Sequence, residues 1–324
     1  MRIAVTGSIA TDHLMLFPGR FSEQLVPDQL AAVSLSFLAD ELDIRYGGVA
    51  ANIAYGLGIL GRRPLLVGAA GRDFGEYRGR LEAAGVDTAQ VRVSESRYTA
   101  RFVCTTDADQ NQIATFYSGA MTEAADIDLE EVLDRAGGAD FVLVGPDDPT
   151  AMLRHAAACR RLGLPFAADP SQQLARMTAA DVMAMIEGAR YLFTNSYERA
   201  LLLRLVGRPA SEVLERVGAW IVTQGREGVR IDRAGSGSVH VPAVPAVSVT
   251  DPTGAGDALR AGFLAGLVRG LGDRASAQLG ATLATLALEF PGSQGYRCTE
   301  SDLIARSAQH YDVRPMPSSS QVQR

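Results

Sequence analysis

A glycine-rich turn with a carboxylate on each side, DPTGAGD, occupies residues 251–257. The sequence after it is apolar and rich in small residues, which predicts a helix that begins at the turn. The backbone N–H groups of Gly254, Ala255 and Gly256 would lack partners within that helix, and they would converge on a point that favours negative charge. Asp257 would lie beside the anion, where it can take the proton of an alcohol. The pattern therefore indicates phosphoryl transfer to a hydroxyl group, with a simple helix-capping role for Asp257 as the alternative.

The basic residues limit how phosphate can be bound. All 31 of them are arginine, because the sequence contains no lysine. This excludes mechanisms that depend on a lysine, such as those of P-loop enzymes, protein kinases and pyridoxal Schiff bases. A nucleotide would have to be bound by backbone amides, arginines and a metal ion.

Charge and hydropathy argue against nucleic acid and membrane as partners. The net charge of −6 is opposite to that of a sequence-independent nucleic-acid binder. No run of 18 apolar residues predicts a membrane helix, the N-terminus does not resemble a signal peptide, and the expected location is the cytoplasm. Cys104, Cys159 and Cys298 are scattered without metal-binding spacing.

The elements that must position the turn are of two alternating kinds. Short apolar runs that predict buried strands alternate with amphipathic stretches that predict helices, which indicates βαβ units and a parallel sheet covered on both faces. We therefore predict the α/β class, with one large domain over residues 1–310. The predicted strands cover 2–8, 64–71, 141–145, 165–169, 191–195 and 220–225, and the predicted helices cover 48–61, 76–85, 150–162, 196–206, 254–270 and 274–290.

Two segments, residues 11–45 and 97–118, do not follow this alternation. Their residues alternate between polar and apolar as in half-exposed strands, with a polar turn at 107–111. We predict that they form a small separate sheet, a lid over a site at the edge of the main sheet. The final residues, 311–324, are predicted to be a disordered tail.

Five segments together resemble the signatures of the ribokinase-like, or PfkB, carbohydrate kinase family. They occur in the order of that family across nearly the whole chain, and they are GGVAANIAYGLGILG (47–61), VGAAGRDFGE (67–76), NSYE (195–198), TQGREG (223–228) and DPTGAGDALRAGF (251–263). The resemblance implies a three-layer α/β/α core with a mainly parallel sheet and a small β-sheet lid. It also implies that Asp257 is the catalytic base.

The segment TQGREG matches the nucleotide-binding loop of the family. The resemblance implies that Thr223, Gly225 and Gly228 bind ATP together with Gly256. Taken alone, this loop is typical of a hairpin turn. Members of the family often carry a lysine where this chain has Arg226, and arginine keeps the charge but not the geometry.

Asn195 and Glu198 are three residues apart at a predicted helix start, so they share a face. The resemblance implies that they hold Mg²⁺, and we expect them to do so through its waters because Mg²⁺ dehydrates reluctantly. Taken alone, this spacing is typical of a helix capping box. A monovalent cation such as K⁺ is a further cofactor that the family suggests.

The family resemblance implies a sugar-binding aspartate after the first strand. Asp12 follows that strand, and a carboxylate accepts hydrogen bonds from two neighbouring hydroxyl groups at once. Ser8 adds a hydroxyl group, and Gly48 lets the backbone approach a ligand closely. Asn52, one turn into the first long helix, can both donate and accept. The alternatives are a turn residue for Asp12 and a solvent-facing polar residue for Asn52.

Aromatic residues in the lid segments favour a nucleoside as the acceptor. Phe37, Phe102 and Phe116 lie there, with Gln112 between the last two. A purine has a π-face on which such rings can stack, worth about 1–3 kcal/mol per base, whereas a free sugar needs mainly hydrogen bonds. The alternative is that the three rings form the core of the lid itself.

Three segments closely resemble the adenosine kinases of mycobacteria and related actinomycetes, a branch of the same family. They are SLSFLADEL (34–42), RFVCTTDADQNQIATFYSGAM (101–121) and AADPSQQLARM (167–177). This resemblance implies ATP-dependent phosphorylation of the 5′-hydroxyl of adenosine, giving AMP in purine salvage, by a homodimer joined through the lid. The residues that it assigns are Ser8, Asp12, Gly48 and Asn52 to the ribose, Phe102 and Phe116 to the two sides of the adenine, Gln172 and Gln173 to the lining of the site, Arg176 to the transferring phosphate, and Ser36 and Phe37 to the partner's site. A kinase for a free sugar such as ribose, fructose or a keto-deoxy sugar stays as the alternative, and a non-catalytic ligand-binding relative as a remote one.

Overall fold

The computed structural model describes residues 1–311 of the 324-residue chain. The tail predicted for 311–324 therefore lies, apart from Tyr311, outside the described residues. Among the helices that the structure describes, none is long and apolar enough to cross a membrane.

The predicted strands of the main sheet are present with ends that differ by at most two residues, except for the one at 64–71. That segment divides into Leu65–Val67, which lies in the main sheet, and Ala69–Ala70, which pairs with Arg92–Val93 in a separate two-stranded sheet. Over the described residues, the strands are β1 (Ile3–Thr6), β2 (Ala10–Leu16), β3 (Glu41–Gly47), β4 (Leu65–Val67), β5 (Ala69–Ala70), β6 (Arg92–Val93), β7 (Ala100–Thr106), β8 (Gln112–Tyr117), β9 (Phe141–Val144), β10 (Phe166–Ala168), β11 (Tyr191–Asn195), β12 (Ala219–Thr223), β13 (Val229–Asp232) and β14 (Val239–Val241).

The predicted helices are also present, again with ends within two residues. The helices in the described part of the chain are α1 (Phe21–Gln24), α2 (Val49–Ile59), α3 (Gly75–Ala83), α4 (Leu129–Ala136), α5 (Pro149–Arg161), α6 (Ala179–Ile186), α7 (Ser196–Val206), α8 (Ala210–Leu214), α9 (Ala255–Val268), α10 (Asp273–Leu288) and α11 (Glu300–His310).

The main sheet has eight strands in the order β14-β13-β12-β11-β10-β9-β1-β4. Pairing is parallel from β4 to β12, and β13 and β14 are antiparallel at one edge. Helices α2, α3, α9, α10 and α11 cover one face, and α4 to α8 cover the other. Alternate residues of a strand point into opposite cores. Val5 is buried in the core beneath α2, α3, α9, α10 and α11, and Ala4 is buried in the core beneath α4 to α8. This double burial explains why the strands are apolar throughout.

The lid is a second sheet of four strands in the order β3-β2-β7-β8. The prediction of strands across 11–45 is wrong for residues 17–40, which form α1, a three-ten turn at Pro27–Ala32 and irregular chain. Their aromatic residues pack on one another instead: the ring of Phe37 lies 5.1 Å from that of Phe17 and 4.8 Å from that of Phe21.

The carboxyl ends of neighbouring strands place polar residues along one edge of the main sheet. Ser8 follows β1, Asp169 follows β10, Asn195 ends β11 and Thr223 ends β12, with β9 between β1 and β10. Four strand spacings of about 4.8 Å separate Ser8 from Thr223, about 19 Å in all. The lid is attached at the Ser8 end of this edge, since β2 follows β1 directly. Ligands of open α/β sheets bind at such edges.

Candidate active site

Helix α9 begins at Ala255, directly after Gly254, whose backbone is left-handed (φ +78°). A side chain at Gly254 would overlap Ser293, because its Cβ would lie 2.4 Å from the Ser293 Cβ. The Ala255 N–H donates to a carbonyl within the turn over 3.4 Å. The N–H groups of Gly256 and Asp257 have no acceptor within the described residues. These two groups are therefore the donors available to an anion in front of the helix.

The carboxylate of Asp257 is held from the neighbouring helix α2. Asn52 Nδ2 donates to Asp257 Oδ2 over 2.8 Å. Asn52 Oδ1 in turn accepts from Ser293 Oγ and from Gln294 Nε2, at 3.0 and 2.9 Å. Burial raises the pKa of Asp257 to about 6, although Asn52 and Arg260 oppose this. A carboxylate with this pKa is ionised at neutral pH and still basic enough to take a proton efficiently.

A buried ion pair lies next to the start of α9. Arg260 donates to both carboxylate oxygens of Asp169, at 2.5 and 2.9 Å, and to the Gly256 carbonyl at 3.1 Å. Both side chains are at most 5 % exposed. Ser171 donates its hydroxyl to Asp169 and has φ +45°, an uncommon backbone conformation for a residue with a side chain. The pair fixes the first turns of α9 against the end of β10.

Asn195 and Glu198 form the capping box that their spacing allows. Asn195 Oδ1 accepts from the Glu198 N–H (2.8 Å), and Glu198 Oε2 accepts from the Asn195 N–H (2.7 Å). Burial raises the pKa of Glu198; the capping bond lowers it, and Asp169 and Arg260 are close enough to act on it as well. Among the described residues, no hydrogen bond uses Glu198 Oε1. That oxygen fits a water-mediated Mg²⁺ site.

Direct coordination of a metal by several side chains is not indicated. No group of three or more His, Cys, Asp or Glu side chains that could hold a metal ion occurs over residues 1–311. A magnesium ion at this edge would therefore keep most of its waters.

The predicted nucleotide loop lies next to the capping box. Thr223 and Asn195 are direct register partners on β12 and β11, and the Ser196 hydroxyl donates to the Thr223 carbonyl (3.4 Å). Gly225 begins a three-ten turn, and Gly228 ends the loop before β13. The loop is the hairpin turn that its sequence predicts, and it brings the residues predicted for ATP beside those predicted for Mg²⁺.

Ser8 and Gly48 connect β1 to α2. Ser8 Oγ accepts from the Val49 N–H over 3.0 Å, so this hydroxyl caps α2 where Gly48 has no side chain to do so. Gly48 has φ +90°, and a Cβ there would lie 2.6 Å from the Ser8 carbonyl oxygen. Contact within the chain thus requires the glycine, whether or not a ligand approaches it.

One row of lid residues faces the turn before α9; we call it the inner row. It consists of Arg45, Asp12, Phe102 and Phe116, which are direct register partners across the four strands and therefore project from one face. Arg45 Nη1 donates to Asp251 Oδ2 over 2.6 Å, so this face is directed towards the core. Burial raises the pKa of Asp12, and Arg45 opposes the rise. The row places a carboxylate beside two aromatic rings.

Three of the predicted lid residues lie away from this row. Gln112 is at the opposite end of β8 from Phe116, about 13 Å along the strand. Its amide donates to Thr106 Oγ1 over 3.4 Å. Phe37 belongs to the aromatic cluster of the 17–40 segment, and Ser36 before it is exposed.

Gln172, Gln173 and Arg176 lie in the three-ten turn Ser171–Arg176 that follows Asp169. Gln173 is buried, and its Oε1 has no hydrogen-bond partner within the described residues. Gln172 and Arg176 are exposed. The turn therefore presents polar groups from the end of β10, next to the ion pair that fixes α9.

Several polar groups around Asp257 or elsewhere along the same sheet edge were not predicted. The Tyr77 hydroxyl donates to the Gly47 carbonyl (2.8 Å) and accepts from Gln294 Nε2 (2.6 Å). Asp147, which is 2 % exposed, follows β9 at the same sheet edge, and burial raises its pKa to about 7. Ser293 and Gln294, a polar pair between two glycines, were a usable sequence signal that this segment contributes to the site. Tyr77 and Asp147 carried none.

The assembled site can bind an anion and abstract a proton beside it. Two N–H groups point into the space before α9, and the Asp257 carboxylate lies in the same helical turn. An alcohol that is positioned there would lose its proton to Asp257 as it attacks the bound group. The inner row supplies a carboxylate and apolar rings with which to position it.

The comparisons with known proteins agree with this chemistry. Residues 8–299 match the model of the pfkB family carbohydrate kinases. A nucleoside kinase of Methanocaldococcus jannaschii is 31 % identical over 267 residues, which cover 82 % of this chain and 86 % of that protein.

Solved structures show the same architecture. The structure of Burkholderia thailandensis nucleoside kinase in complex with inosine has a TM-score of 0.81 at 34 % identity and covers 97 % of this chain and 100 % of that one. Arabidopsis thaliana ribokinase complexed with ribose and ATP has a TM-score of 0.78 at 19 % identity, with 94 % and 98 % covered, and shares the fold. The α/β core and the additional small sheet that the sequence predicts are confirmed.

Proposed function

The chain belongs to the pfkB family of carbohydrate kinases and is a phosphotransferase with an alcohol acceptor, and from this we propose that it transfers the γ-phosphate of ATP to the 5′-hydroxyl of adenosine. The products would be ADP and AMP, so the enzyme would act in purine salvage. The relatives named nucleoside kinases support the class of acceptor.

The observation that carries the proposal is the inner row. Asp12 adjoins Phe102 on the next strand, about 4.8 Å away, and Phe116 lies one strand further on the same face. A ribose whose diol binds Asp12 would place its base against the two rings, where stacking contributes about 1–3 kcal/mol. A free pentose would leave the rings uncovered, and Phe116 is already 53 % exposed.

In this proposal Asp257 is the general base. It is ionised above its pKa of about 6 and takes the proton of the 5′-hydroxyl as that oxygen forms a bond to the γ-phosphorus. The bond from the γ-phosphorus to the bridging oxygen breaks, and ADP leaves. The N–H groups of Gly256 and Asp257 stabilise charge on the transferring group. Asn52 holds the base in orientation, and Arg176 adds a positive charge from the turn after β10.

The donor side is assigned to the neighbouring strands β11 and β12. Thr223, Gly225 and Gly228 would bind ATP, and Asn195 with Glu198 would hold Mg²⁺ through water. When bound, Mg²⁺ neutralises charge on the phosphates. A requirement for K⁺ is a separate prediction of the family resemblance, and it is measured by replacing K⁺ with tetramethylammonium in the assay.

A coupled assay of ADP formation with adenosine, inosine, ribose and fructose tests the acceptor. We expect the highest kcat/KM for adenosine and no turnover by Asp257→Asn, which should still bind adenosine. Turnover of a free sugar but not of adenosine would replace the nucleoside with a sugar. A preference for inosine would overturn adenosine but not the nucleoside class, and near-wild-type turnover by Asp257→Asn would mean that the base lies elsewhere.

We further propose a homodimer formed through the outer face of the lid. Leu42, Ile44 and Ile113 project away from the inner row and are 58 %, 54 % and 46 % exposed. An apolar patch of this kind on a lid marks an interaction surface. The predicted reach of Ser36 and Phe37 into the partner's site depends on this assembly.

Sedimentation velocity tests the homodimer. Ile44→Asp should give a monomer, whereas Tyr197→Asp, on an exposed aromatic residue of α7, should leave the dimer intact. A wild-type protein that sediments as a monomer at micromolar concentration would overturn the proposal.

A further inference from the structure

Arg45 joins the lid to the core. It lies on β3 opposite Asp12 in the inner row, and its Nη1 donates to Asp251 Oδ2 over 2.6 Å while its Nε donates to Asp43 Oδ2 over 2.6 Å. The bond to Asp251 is sheltered, since the two side chains are 30 % and 14 % exposed. Asp43 is 55 % exposed, so solvent screens that pair more strongly.

Asp251 in turn holds the two segments that shape the anion-binding turn. Its Oδ1 accepts from the Thr253 N–H and its Oδ2 from the Gly292 N–H, both over 2.9 Å. The aliphatic part of the Arg45 side chain lies across Gly292: a Cβ added at Gly292 would be 3.3 Å from Arg45 Cδ. Arg45 therefore contacts both segments, 251–254 directly through the carboxylate and 291–295 through its stem.

The contacts continue from these segments to the catalytic carboxylate. Ser293 packs against Gly254 at the start of the turn, and its hydroxyl donates to Asn52. Asn52 donates to Asp257. An unbroken series of contacts therefore runs from a lid strand, through Asp251 and the 291–295 segment, to the proposed base.

We propose that Arg45 is a positioning residue that couples the placement of the lid over the acceptor to the geometry of the anion-binding turn. This proposal rests on the proposed function, because Asp12, the lid residue opposite Arg45, is the one assigned to the ribose diol. Removing the guanidinium would leave the carboxylates of Asp12 and Asp251 without the charge between them. Both the lid and the turn would then relax, so acceptor binding and the chemical step would suffer together.

Steady-state kinetics with adenosine separate coupling from simple anchoring of the lid. Arg45→Met keeps much of the stem and removes the charge; we expect a raised KM and a kcat lowered about tenfold. Asp43→Asn, the matched control, removes the exposed partner of Arg45 and should change kcat less than about twofold. A raised KM with an unchanged kcat would overturn the coupling, because it would mean that Arg45 only anchors the lid.

A double-mutant cycle tests the route through Asp251. Asp251→Asn should also lower kcat, and Arg45→Met combined with Asp251→Asn should be no worse than the more damaging single variant. Multiplied losses would mean that the two residues act independently. If Arg45→Met does not fold, Arg45→Gln, which keeps a donor without the charge, is interpreted in the same way.

Hydrogen exchange of the wild type, Arg45→Met and Asp43→Asn gives a result that does not depend on activity. Arg45→Met should speed exchange in residues 251–257 and 291–295 as well as in β3, and Asp43→Asn should not. Faster exchange confined to β3 would overturn the coupling. A wild type that phosphorylates neither nucleosides nor sugars would overturn the proposed function, and the exchange result would still decide whether Arg45 holds the turn.

Discussion

The replacement of Asp257 by asparagine should abolish turnover and make the protein more stable. In the folded protein burial raises the pKa of Asp257 to about 6 from its ordinary value of 3.8. Folded protein therefore binds this proton more tightly than unfolded chain, so stability falls as pH rises from 3.8 to 6 and the full penalty is present above pH 6. Asparagine carries no charge and removes the penalty.

The size of the effect follows from the two pKa values. At 1.36 kcal/mol per pH unit, the penalty at pH 8 is about 3 kcal/mol. At pH 5 the same relation gives about 1.6 kcal/mol, because part of the folded population is already protonated. Asp257 is half-buried at the mouth of the site, so we take these values as upper bounds and expect about 1–3 kcal/mol at pH 8.

Urea unfolding followed by circular dichroism at pH 8 and pH 5 measures this difference. Asp257→Asn should shift the midpoint upward without a change in m-value, and by roughly half as much at pH 5. Asp73→Asn is a control of opposite sign, because burial raises the pKa of Asp73 but hydrogen bonds from Thr99 and Arg101 outweigh it and lower that pKa overall. It should destabilise at pH 8. An Asp257→Asn variant no more stable than the wild type at pH 8 would refute the desolvated carboxylate on which the mechanism depends.

Three further predictions concern the site. The kcat/KM for adenosine should fall about tenfold per pH unit below pH 6, because protonated Asp257 cannot act as a base; a profile that is flat to pH 5 would contradict this. Gly254→Ala should lower both the unfolding midpoint and kcat, since its Cβ would lie 2.4 Å from that of Ser293, and Gly61→Ala, at a left-handed glycine with open space around it, is the control for backbone strain alone. Phe116→Ala should raise the KM for adenosine by about 5- to 150-fold with little change in kcat, and an unchanged KM would mean that the base does not contact the inner row.

The main sheet could be predicted because both of its faces are buried. Strands such as β9 and β10 are continuous apolar runs bounded by glycine, proline or polar residues, and the helices between the strands are long enough for parallel crossovers. The carboxyl edge then follows from topology, and Ser8, Asn195 and Thr223 lie at the ends of strands that meet there.

The lid could be predicted only in part. Alternation identified its four strands, but it also continued through residues 17–40, where Phe17, Phe21 and Phe37 cover one another. Alternation of polar and apolar residues indicates that every second side chain is buried, but it does not identify the element that buries it. The sequence also grouped Gln112 with Phe116, and these residues, four apart on β8, lie about 13 Å apart along the strand.

The contacts that hold Asp257 could not be predicted from spacing. Asn52 and Asp257 are 205 residues apart, and Arg45 and Asp251 are 206 apart. Each residue was visible as a polar group near a motif, but the pairing depends on how α2, α9 and the lid meet in three dimensions. Ser8 is different, because its hydroxyl also caps α2, a local role that its predicted contact with the ribose did not indicate.

The capping box at the start of α7 shows that a structural role and a proposed metal-binding role can involve the same residues. A capping role for Asn195 and Glu198 was the competing explanation for a metal role, and the structure contains the box. The box uses only Glu198 Oε2, and by fixing that oxygen it also fixes the direction of Oε1. Asn195, the other member of the box, is the register partner of Thr223 in the nucleotide loop. A carboxylate held in this way loses less conformational entropy when a hydrated cation binds than a freely rotating one does. The capping role therefore does not compete with the proposed metal role, and the capping bonds strengthen the case for Mg²⁺ at this edge.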